Sequence, residues 1–161
     1  MALGSDKSII LLPIKPRFAE LIIRGKKKVE FRRRGFRNKI SHVVLYATNP
    51  IKKILGYFEV SHIDEDSPKK LWDRYKKVGG ITYEEFKNYY SSSDIGIAIG
   101  VGEVYVLQTP VPLSMLTKSL TSPQGFVYIT PNDFDKIQDR VEVANKGMIA
   151  KYILKQPLNF E

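Results

Sequence analysis

An eight-residue segment of the chain brings a lysine, a glutamate and an arginine close together. It reads Gly25-Lys26-Lys27-Lys28-Val29-Glu30-Phe31-Arg32. Glu30 and Arg32 are two residues apart, so on a strand their side chains share a face and are close enough for an ion pair. Lys27 is three residues from Glu30 and joins the pair only if it lies in a turn or at a bulge. The spacing therefore predicts a small cluster of charges at the start of a strand.

Three interpretations of this cluster stay open from the residue types alone. A carboxylate between two cations stays ionised and an ammonium beside a carboxylate stays protonated, which favours a receptor for anions and hydrogen bonds. Catalysis would instead need Lys27 as an activated amine and Glu30 as acid or base, and burial or a further cation must then lower the lysine pKa. The third interpretation is an ion-pair network that only closes the fold.

The positive charge of the protein is concentrated around this cluster. Residues 15–39 contain eleven basic and two acidic side chains, which accounts for the whole net charge of +9. Such a concentrated field attracts a polyanion, although a solvated surface run has the same composition. Two polar residues that end a predicted strand near this site are added to the candidates. The predicted nucleic-acid contacts are Lys15, Arg17, Lys26, Lys27, Lys28, Glu30, Arg32, Arg33, Arg34, Arg37, Tyr46 and Thr48.

The composition argues against several classes of site. A length of 161 residues is that of one domain with a sizeable core. The sequence has no cysteine and two histidines, His42 and His62, so it favours neither a disulfide nor a zinc site. We expect no metal and no cofactor. Without a long apolar run or a secretory signal, we also expect a cytoplasmic protein that does not contact a membrane.

The first half of the chain alternates strand and helix patterns around the charged segment. Ser8 to Leu12 is apolar enough for a buried strand, and Pro16 suits the first turn of a helix that Gly25 ends. Gly56, inside a later strand, indicates a bulge or a close backbone approach. The predicted strands after the helix are Lys28 to Arg34, His42 to Thr48 and Ile51 to Ile63.

The second half predicts further helices around two more strand regions. Ser67-Pro68 begins one helix, and Thr82 with Glu85 has capping-box spacing for the next, in which Tyr83, Phe86 and Tyr90 share a face. The remaining predicted elements are strands at Ile95 to Gln108 and Gly125 to Ile129, and helices from Thr130-Pro131 and around Met148 to Ile153. The pattern predicts an α+β fold, a small closed barrel of antiparallel or mixed strands with flanking helices.

The segment from Gly25 to Arg32 resembles the G-x-K-x-x-E-x-R signature of the ASCH domain family, which has PUA-like barrels. The resemblance extends to the first helix, where Ile14 to Ile22 reads IKPRFAELI. It covers about residues 8 to 130. Other similar segments are Tyr46 to Pro50, Ile54 to Val60, Leu71-Trp72, Tyr83 to Phe86 and Pro123 to Phe126.

The resemblance implies a PUA-like small β-barrel with a cleft beside the first helix, into which Lys27, Glu30 and Arg32 project. It also implies RNA or nucleotide-like ligands, and some related small proteins hydrolyse acylated cytidine nucleosides or cut RNA. The amidohydrolase-like members have a threonine that works with the lysine, whereas this chain has Glu30 at the matching position.

Two functions from different classes follow as expectations. In the first, a basic cleft beside the first helix binds RNA or a nucleotide without turnover. In the second, the protein is a small hydrolase or ribonuclease that acts on RNA or a modified nucleoside, with Lys27 and Glu30 as catalytic groups. We expect residues 8–130 to form the barrel domain and residues 131–161 to form a C-terminal extension packed on it.

Overall fold

The computed structural model describes residues 7–116 and 125–141, which form six strands, four α-helices and one 3-10 helix. The strands are β1 (Lys7–Ile14), β2 (Val29–Arg32), β3 (Lys39–Ala47), β4 (Lys53–Asp66), β5 (Gly96–Val111) and β6 (Val127–Ile129). The α-helices are α1 (Pro16–Ile23), α2 (Pro68–Tyr75), α3 (Tyr83–Tyr89) and α4 (Pro131–Gln138), and the 3-10 helix is Leu113–Met115. The helix predicted around Met148 to Ile153 lies outside the described residues.

The six described strands form one mixed sheet in the order β2-β5-β4-β3-β1-β6. β1 and β3 are parallel, and the other paired strands are antiparallel. The α+β class with mixed strands is therefore confirmed. Complete closure of the barrel is not observed among the described strands, because β2 and β6 lie at opposite ends of the sheet. Each of these edge strands pairs with one neighbour, and they are short, with four and three residues.

Alternate residues of β1 and β3 pack into two different hydrophobic clusters, as the two-residue period of a strand requires. Leu12 and Leu45 belong to a cluster that includes Ile22 of α1. Leu11 and Val44 belong to a second cluster, which contains Phe134 and Ile137 of α4. Both faces of these strands are thus buried, which explains their nearly continuous apolar sequences.

A third cluster joins α2 and α3 to β2 and β5. Phe86 of α3 packs edge-on against Phe31 of β2, with ring centroids 4.9 Å apart. Phe86 and Tyr90 are buried, whereas Tyr83, predicted to share their face of the helix, is 55% exposed. Tyr83 is the first residue of α3. Its side chain shares the helical face of Phe86 but lies at the end of the helix, at the edge of the third cluster.

Local sequence signals begin, end and bend these elements as expected. Gly25 follows α1 with φ of 76°, a left-handed conformation that glycine adopts without a Cβ penalty. The capping box between Thr82 and Glu85 is present at the start of α3. The β3–β4 register shifts beside Gly56, where an added Cβ would collide with the carbonyl oxygen of Tyr105. The predicted close backbone approach at Gly56 is therefore confirmed.

The first part of the predicted extension packs on the sheet through α4. Phe134 is 4% exposed and Ile137 is fully buried. A separate bridge pairs Val141 with Leu107 of β5. The division of the chain at residue 130 into a barrel domain and an extension stays a prediction. None of the helices in the described ranges is long and apolar enough to cross a membrane.

Candidate functional site

A cavity of about 390 Å³ lies where α1, the end of β1, β2 and α3 meet. We call it the first cavity. Six of the twelve predicted contact residues line it, namely Lys15, Arg17, Lys27, Glu30, Arg32 and Thr48. Apolar walls come from residues such as Phe18, Phe31 and Ile81. The fold therefore brings Lys27, Glu30 and Arg32 of the charged segment next to Thr48, the residue that follows β3.

Lys27 reaches the first cavity because the chain turns sharply between α1 and β2. Gly25 ends the helix, and the backbone N–H groups of both Lys26 and Lys27 donate to Leu21 O at 2.9 and 3.0 Å. Lys27 thus precedes the strand, as the spacing to Glu30 requires. Its side chain is only 1% exposed, although lysine is almost never fully buried without a partner.

The Lys27 amine is held by two oxygen acceptors and two aromatic rings. Nζ donates to Gly79 O and lies 3.5 Å from Glu30 Oε1. It also lies 4.8 Å from the ring centroid of Phe18 and 5.4 Å from that of Phe31. Burial removes the amine from water and lowers its pKa from 10.5, an effect that the Glu30 carboxylate opposes. Arg32 and Arg17 add smaller effects in the lowering direction.

Glu30 and Arg32 form the ion pair that their spacing on β2 predicts. Arg32 donates to Glu30 Oε2 from Nη2 at 2.7 Å and from Nε at 3.1 Å. Its Nη2 also donates to Pro13 O at the end of β1, at 2.7 Å. The Glu30 side chain is 7% exposed, so its charge is compensated by Arg32 and Lys27 rather than by water. One carboxylate therefore orients two cations at the cavity wall.

Arg17 and Glu85 connect α1 to α3 across the first cavity. Their side chains form an ion pair between residues 68 apart in sequence. The hydrogen bond from Arg17 is the main cause that lowers the pKa of Glu85 from 4.5 to about 2. The Arg17 guanidinium also lies 4.3 Å from the centroid of the Phe18 ring. The sequence indicates Glu85 only as a capping residue, because no local pattern reveals a contact over this separation.

A protein-family model for the ASCH domain matches residues 12–108, which include the whole segment from Gly25 to Arg32. The chain belongs to the ASCH domain family. The resemblance inferred from that segment is thereby confirmed, and the matched residues contain the strands and helices that form most of the first cavity.

The ASCH chain is similar to proteins of quite different length. An ASCH domain-containing ribonuclease of Zymomonas mobilis is 25% identical over 136 residues, which are 82% of this chain and 91% of that protein. A large ribosomal subunit protein of Ureaplasma parvum is 27% identical over 121 residues, or 74% of this chain and 39% of that protein. The region similar to this chain thus makes up most of one relative and about two fifths of the other.

Solved structures share the fold of this ASCH chain. The crystal structure of a serine-to-alanine variant of ASCH from Zymomonas mobilis has a TM-score of 0.78 and 23% identity, and covers 85% of this chain and 99% of that one. The N-terminal domain of McrB from Staphylothermus marinus has a TM-score of 0.53 and 16% identity, and covers 82% of this chain and 93% of that one. These structures support the fold assignment.

The other predicted contact residues of the ASCH chain lie outside the first cavity. Lys26, Lys28 and Arg37 are exposed and line neither the first cavity nor the next one along β2. Arg33 and Arg34 line that next cavity, which has a volume of about 630 Å³ and which we call the second cavity.

Tyr46 is the one predicted contact that the structure buries away from both cavities. It is 3% exposed and packs in the cluster that contains α4. Its neighbours on β3, Leu45 and Ala47, belong to the cluster on the α1 side. A regular strand would put Tyr46 and Thr48 on one face, but β3 ends at Ala47 and Thr48 lies in the turn that follows, where it lines the first cavity.

The described part of the ASCH chain contains no group of three histidine, cysteine, aspartate or glutamate residues that could hold a metal ion. Residues of the first cavity that were not among the predicted contacts include Phe18, Ile81, Glu85 and Tyr89. Phe18 and Ile81 read as ordinary core positions from their sequence, and α3 reaches the cavity only through the tertiary fold.

Proposed function

We propose that this protein binds single-stranded RNA and accepts a nucleotide in the first cavity. The observation that carries the proposal is the convergence of Lys15, Arg17, Lys27 and Arg32 on one cavity that also has aromatic walls. Cationic side chains neutralise phosphates, and aromatic or apolar walls accept bases, so the combination suits a nucleotide. The same combination suits a duplex poorly, because the bases of a duplex are stacked inside it.

The comparison with known proteins supports RNA as the polyanion. The relative from Zymomonas mobilis that matches 91% of its own length to this chain is named a ribonuclease. Its activity requires RNA to be bound. The excess charge of residues 15–39 supports the same class of ligand, since binding to phosphates releases counterions and is favoured by clustered Lys and Arg.

A salt titration of RNA binding tests this proposal. A labelled pool of single-stranded RNA is titrated with protein at several salt concentrations and followed by fluorescence anisotropy. Four or five phosphate contacts predict a log-log slope of roughly −3, at about −0.7 per contact. Lys15→Glu reverses an exposed charge that lines the first cavity and should weaken binding. Lys70→Glu makes the same change on α2, outside the cavity, and serves as the control.

Two results would contradict RNA binding at the first cavity. The first is an affinity that does not depend on salt. The second is an equal loss of affinity in Lys15→Glu and Lys70→Glu, since net charge alone would then explain the binding. Circular dichroism of both variants checks that the fold is intact.

A second candidate function is RNA cleavage, which the environment of Lys27 specifically favours. The lowered lysine pKa increases the fraction of neutral amine. The two N–H groups of a neutral amine match the two acceptors that contact Lys27 in the described residues, Gly79 O and Glu30 Oε1. Its lone pair is then free to accept a proton, which is the arrangement that general-base catalysis needs.

In this candidate mechanism the 2′-hydroxyl of a bound nucleotide attacks the adjacent phosphorus. The Lys27 amine accepts the hydroxyl proton, the bond from the 2′-oxygen to phosphorus forms, and the bond from phosphorus to the 5′-oxygen breaks. The leaving 5′-oxygen takes a proton from water, and the hydroxide so formed takes the proton from the Lys27 ammonium, which restores the neutral amine. Glu30 stabilises the lysine ammonium that is formed, and Arg32 and Arg17 stabilise the charge of the transition state. The products are a 2′,3′-cyclic phosphate and a 5′-hydroxyl.

Mass spectrometry of RNA incubated with the protein separates the two candidates. Lys27→Arg should retain binding but abolish cleavage, because a guanidinium does not lose its proton near neutral pH. Glu30→Gln removes the carboxylate that stabilises the lysine ammonium formed in the transition state, and should reduce the cleavage rate by about 10²- to 10³-fold. Binding without cyclic phosphate products in the unmodified protein would leave the protein a binder and refute the mechanism. Cleavage that survives Lys27→Arg would exclude Lys27 as the base.

A further inference from the structure

The second cavity continues directly from the first along β2. Its described lining residues include Arg33, Arg34, Phe36, Ser93 and Phe126. Arg32 and Tyr89 line both cavities and so form the wall between them. A ligand that extends past this wall from the first cavity therefore enters the second.

The shared wall is held in place by contacts to three other residues. Arg32 is fixed by its hydrogen bonds to Glu30 and to Pro13 O. The hydroxyl of Tyr90 donates to the backbone oxygen of Arg32 at 2.8 Å. The Tyr89 ring packs edge-on against Tyr90, with centroids 4.9 Å apart. The two cavities thus have a defined relative position.

The charges of the two cavities differ. The first cavity contains Glu30 and Glu85 beside its cations. The described residues that line the second cavity include three arginines and no acidic side chain. Within residues 7–116 and 125–141 neither Arg33 nor Arg34 forms an ion pair. Their charges are therefore available to an anion from solution.

The second cavity also offers aromatic surfaces for a base. The Arg33 guanidinium lies 4.8 Å from the centroid of the Tyr89 ring. Phe36 and Phe126 pack edge-on with centroids 4.9 Å apart. Aromatic rings and arginine planes next to unpaired cations are the surfaces on which single-stranded bases stack.

We propose that the second cavity is the subsite for the neighbouring nucleotide, with its phosphate on Arg33 and Arg34. The substrate is then a single-stranded oligonucleotide that crosses the wall of Arg32 and Tyr89, rather than a free nucleotide. This inference rests on the proposed RNA binding at the first cavity. It adds to that function a ligand length of at least two nucleotides for full affinity.

The dependence of affinity on ligand length tests the second subsite. The probes are oligoadenylates of one to four nucleotides with 2′-fluoro sugars, which lack the hydroxyl that attacks phosphorus. For the unmodified protein we expect an affinity gain of about tenfold or more between one nucleotide and three. The double variant Arg33→Ala and Arg34→Ala should lose most of this gain and bind the mononucleotide normally. Its salt slope for the trinucleotide should be shallower by about 0.7, from the one lost phosphate contact.

The control variant and the affinity for the mononucleotide distinguish a failure of the second subsite from a failure of RNA binding itself. The pair Lys69→Ala and Lys70→Ala removes the same charge from α2, outside both cavities, and should keep the length dependence. If the unmodified protein binds one nucleotide as tightly as three, or if the arginine variant keeps the gain, the second subsite is refuted while RNA binding stands. If no length of RNA binds, the proposed function fails and this inference fails with it.

Discussion

Two substitutions in the charged cluster should have clearly unequal effects on stability. Glu30 is the partner of two cations, whereas Lys27 is only one of two partners of Glu30. Glu30→Gln therefore leaves Lys27, which is 1% exposed, and Arg32 without a carboxylate. Lys27→Met leaves Glu30 paired with Arg32 and places an apolar chain between Phe18 and Phe31. We expect Glu30→Gln to be the more destabilising change.

The size of the difference follows from the contacts. Removal of one partner from a buried ion pair costs about 3–5 kcal/mol, and we expect the lower end because Lys27 can release its proton. Lys27→Met loses the hydrogen bond to Gly79 O, and a buried acceptor without a partner costs about 1–3 kcal/mol. The same change also removes the cost of burying an amine, so the lower end applies again. The two variants should differ by about 2 kcal/mol in the free energy of unfolding.

The pH dependence gives a second, independent signature. Burial lowers the folded-state pKa of Lys27 below its unfolded value of 10.5. Between the two values the unfolded chain binds more protons, so the free energy of unfolding rises with pH up to about 10.5. Below the lowered pKa this contribution no longer changes with pH. Lys27→Met removes the group and should flatten the rise.

Urea unfolding at several pH values measures both effects. The fluorescence of Trp72, the single tryptophan, reports on the third cluster, where its ring lies 5.1 Å from that of Phe86. Far-UV circular dichroism checks that both probes unfold together. If Lys27→Met is as destabilising as Glu30→Gln, the assignment of Glu30 as the shared partner is wrong. An unchanged pH slope in Lys27→Met would refute the lowered pKa.

Three further changes test other parts of the site and the fold. Protonation of Glu85 should cost stability as pH falls from 4.5 to about 2, since its pKa is lowered in the folded state. Glu85→Gln should lose this acid-sensitive contribution of about 1 kcal/mol. If the variant and the unmodified protein unfold identically in acid, the ion pair between Arg17 and Glu85 is contradicted. Gly56→Ala should destabilise the protein by about 3 kcal/mol because the new Cβ collides with the carbonyl oxygen of Tyr105. An unchanged urea midpoint would show that the backbone of β5 moves to make room for the Cβ. Tyr90→Phe removes the bond to Arg32 O and should cost about 1–2 kcal/mol in the same assay, whereas a neutral effect would mean that water replaces the hydroxyl.

Much of the local structure could be predicted from residue types and spacing. Pro16 begins the first helix because proline suits the first helical position. Gly25 ends it because glycine adopts the left-handed conformation, here with φ of 76°. Thr82 and Glu85 form the capping box that their spacing indicates. Glu30 and Arg32 pair because residues two apart share a face of a strand. These features depend on neighbours in sequence, which is why the sequence alone indicates them.

The composition of the first cavity depended on the tertiary structure. Tyr46 and Thr48 look equivalent at the end of a predicted strand, yet only Thr48 lines the cavity. β3 ends at Ala47, so Tyr46 packs from the strand into the cluster with α4, whereas Thr48 lies in the turn that follows. Glu85 and Tyr89 reach the cavity from a helix more than sixty residues away from Arg17. Such contacts depend on how the sheet and helices pack, which local patterns do not specify.

The sequence by itself determined the family, the localised positive charge and the order of a lysine before β2 with a glutamate and an arginine on it. Only the tertiary structure decided that Lys27 is buried, because its amine is enclosed by Phe18 of α1, Phe31 of β2 and the backbone at Gly79. Desolvation depends on every group around an atom, so the lowered pKa of Lys27 arises from packing rather than from its neighbours in the chain.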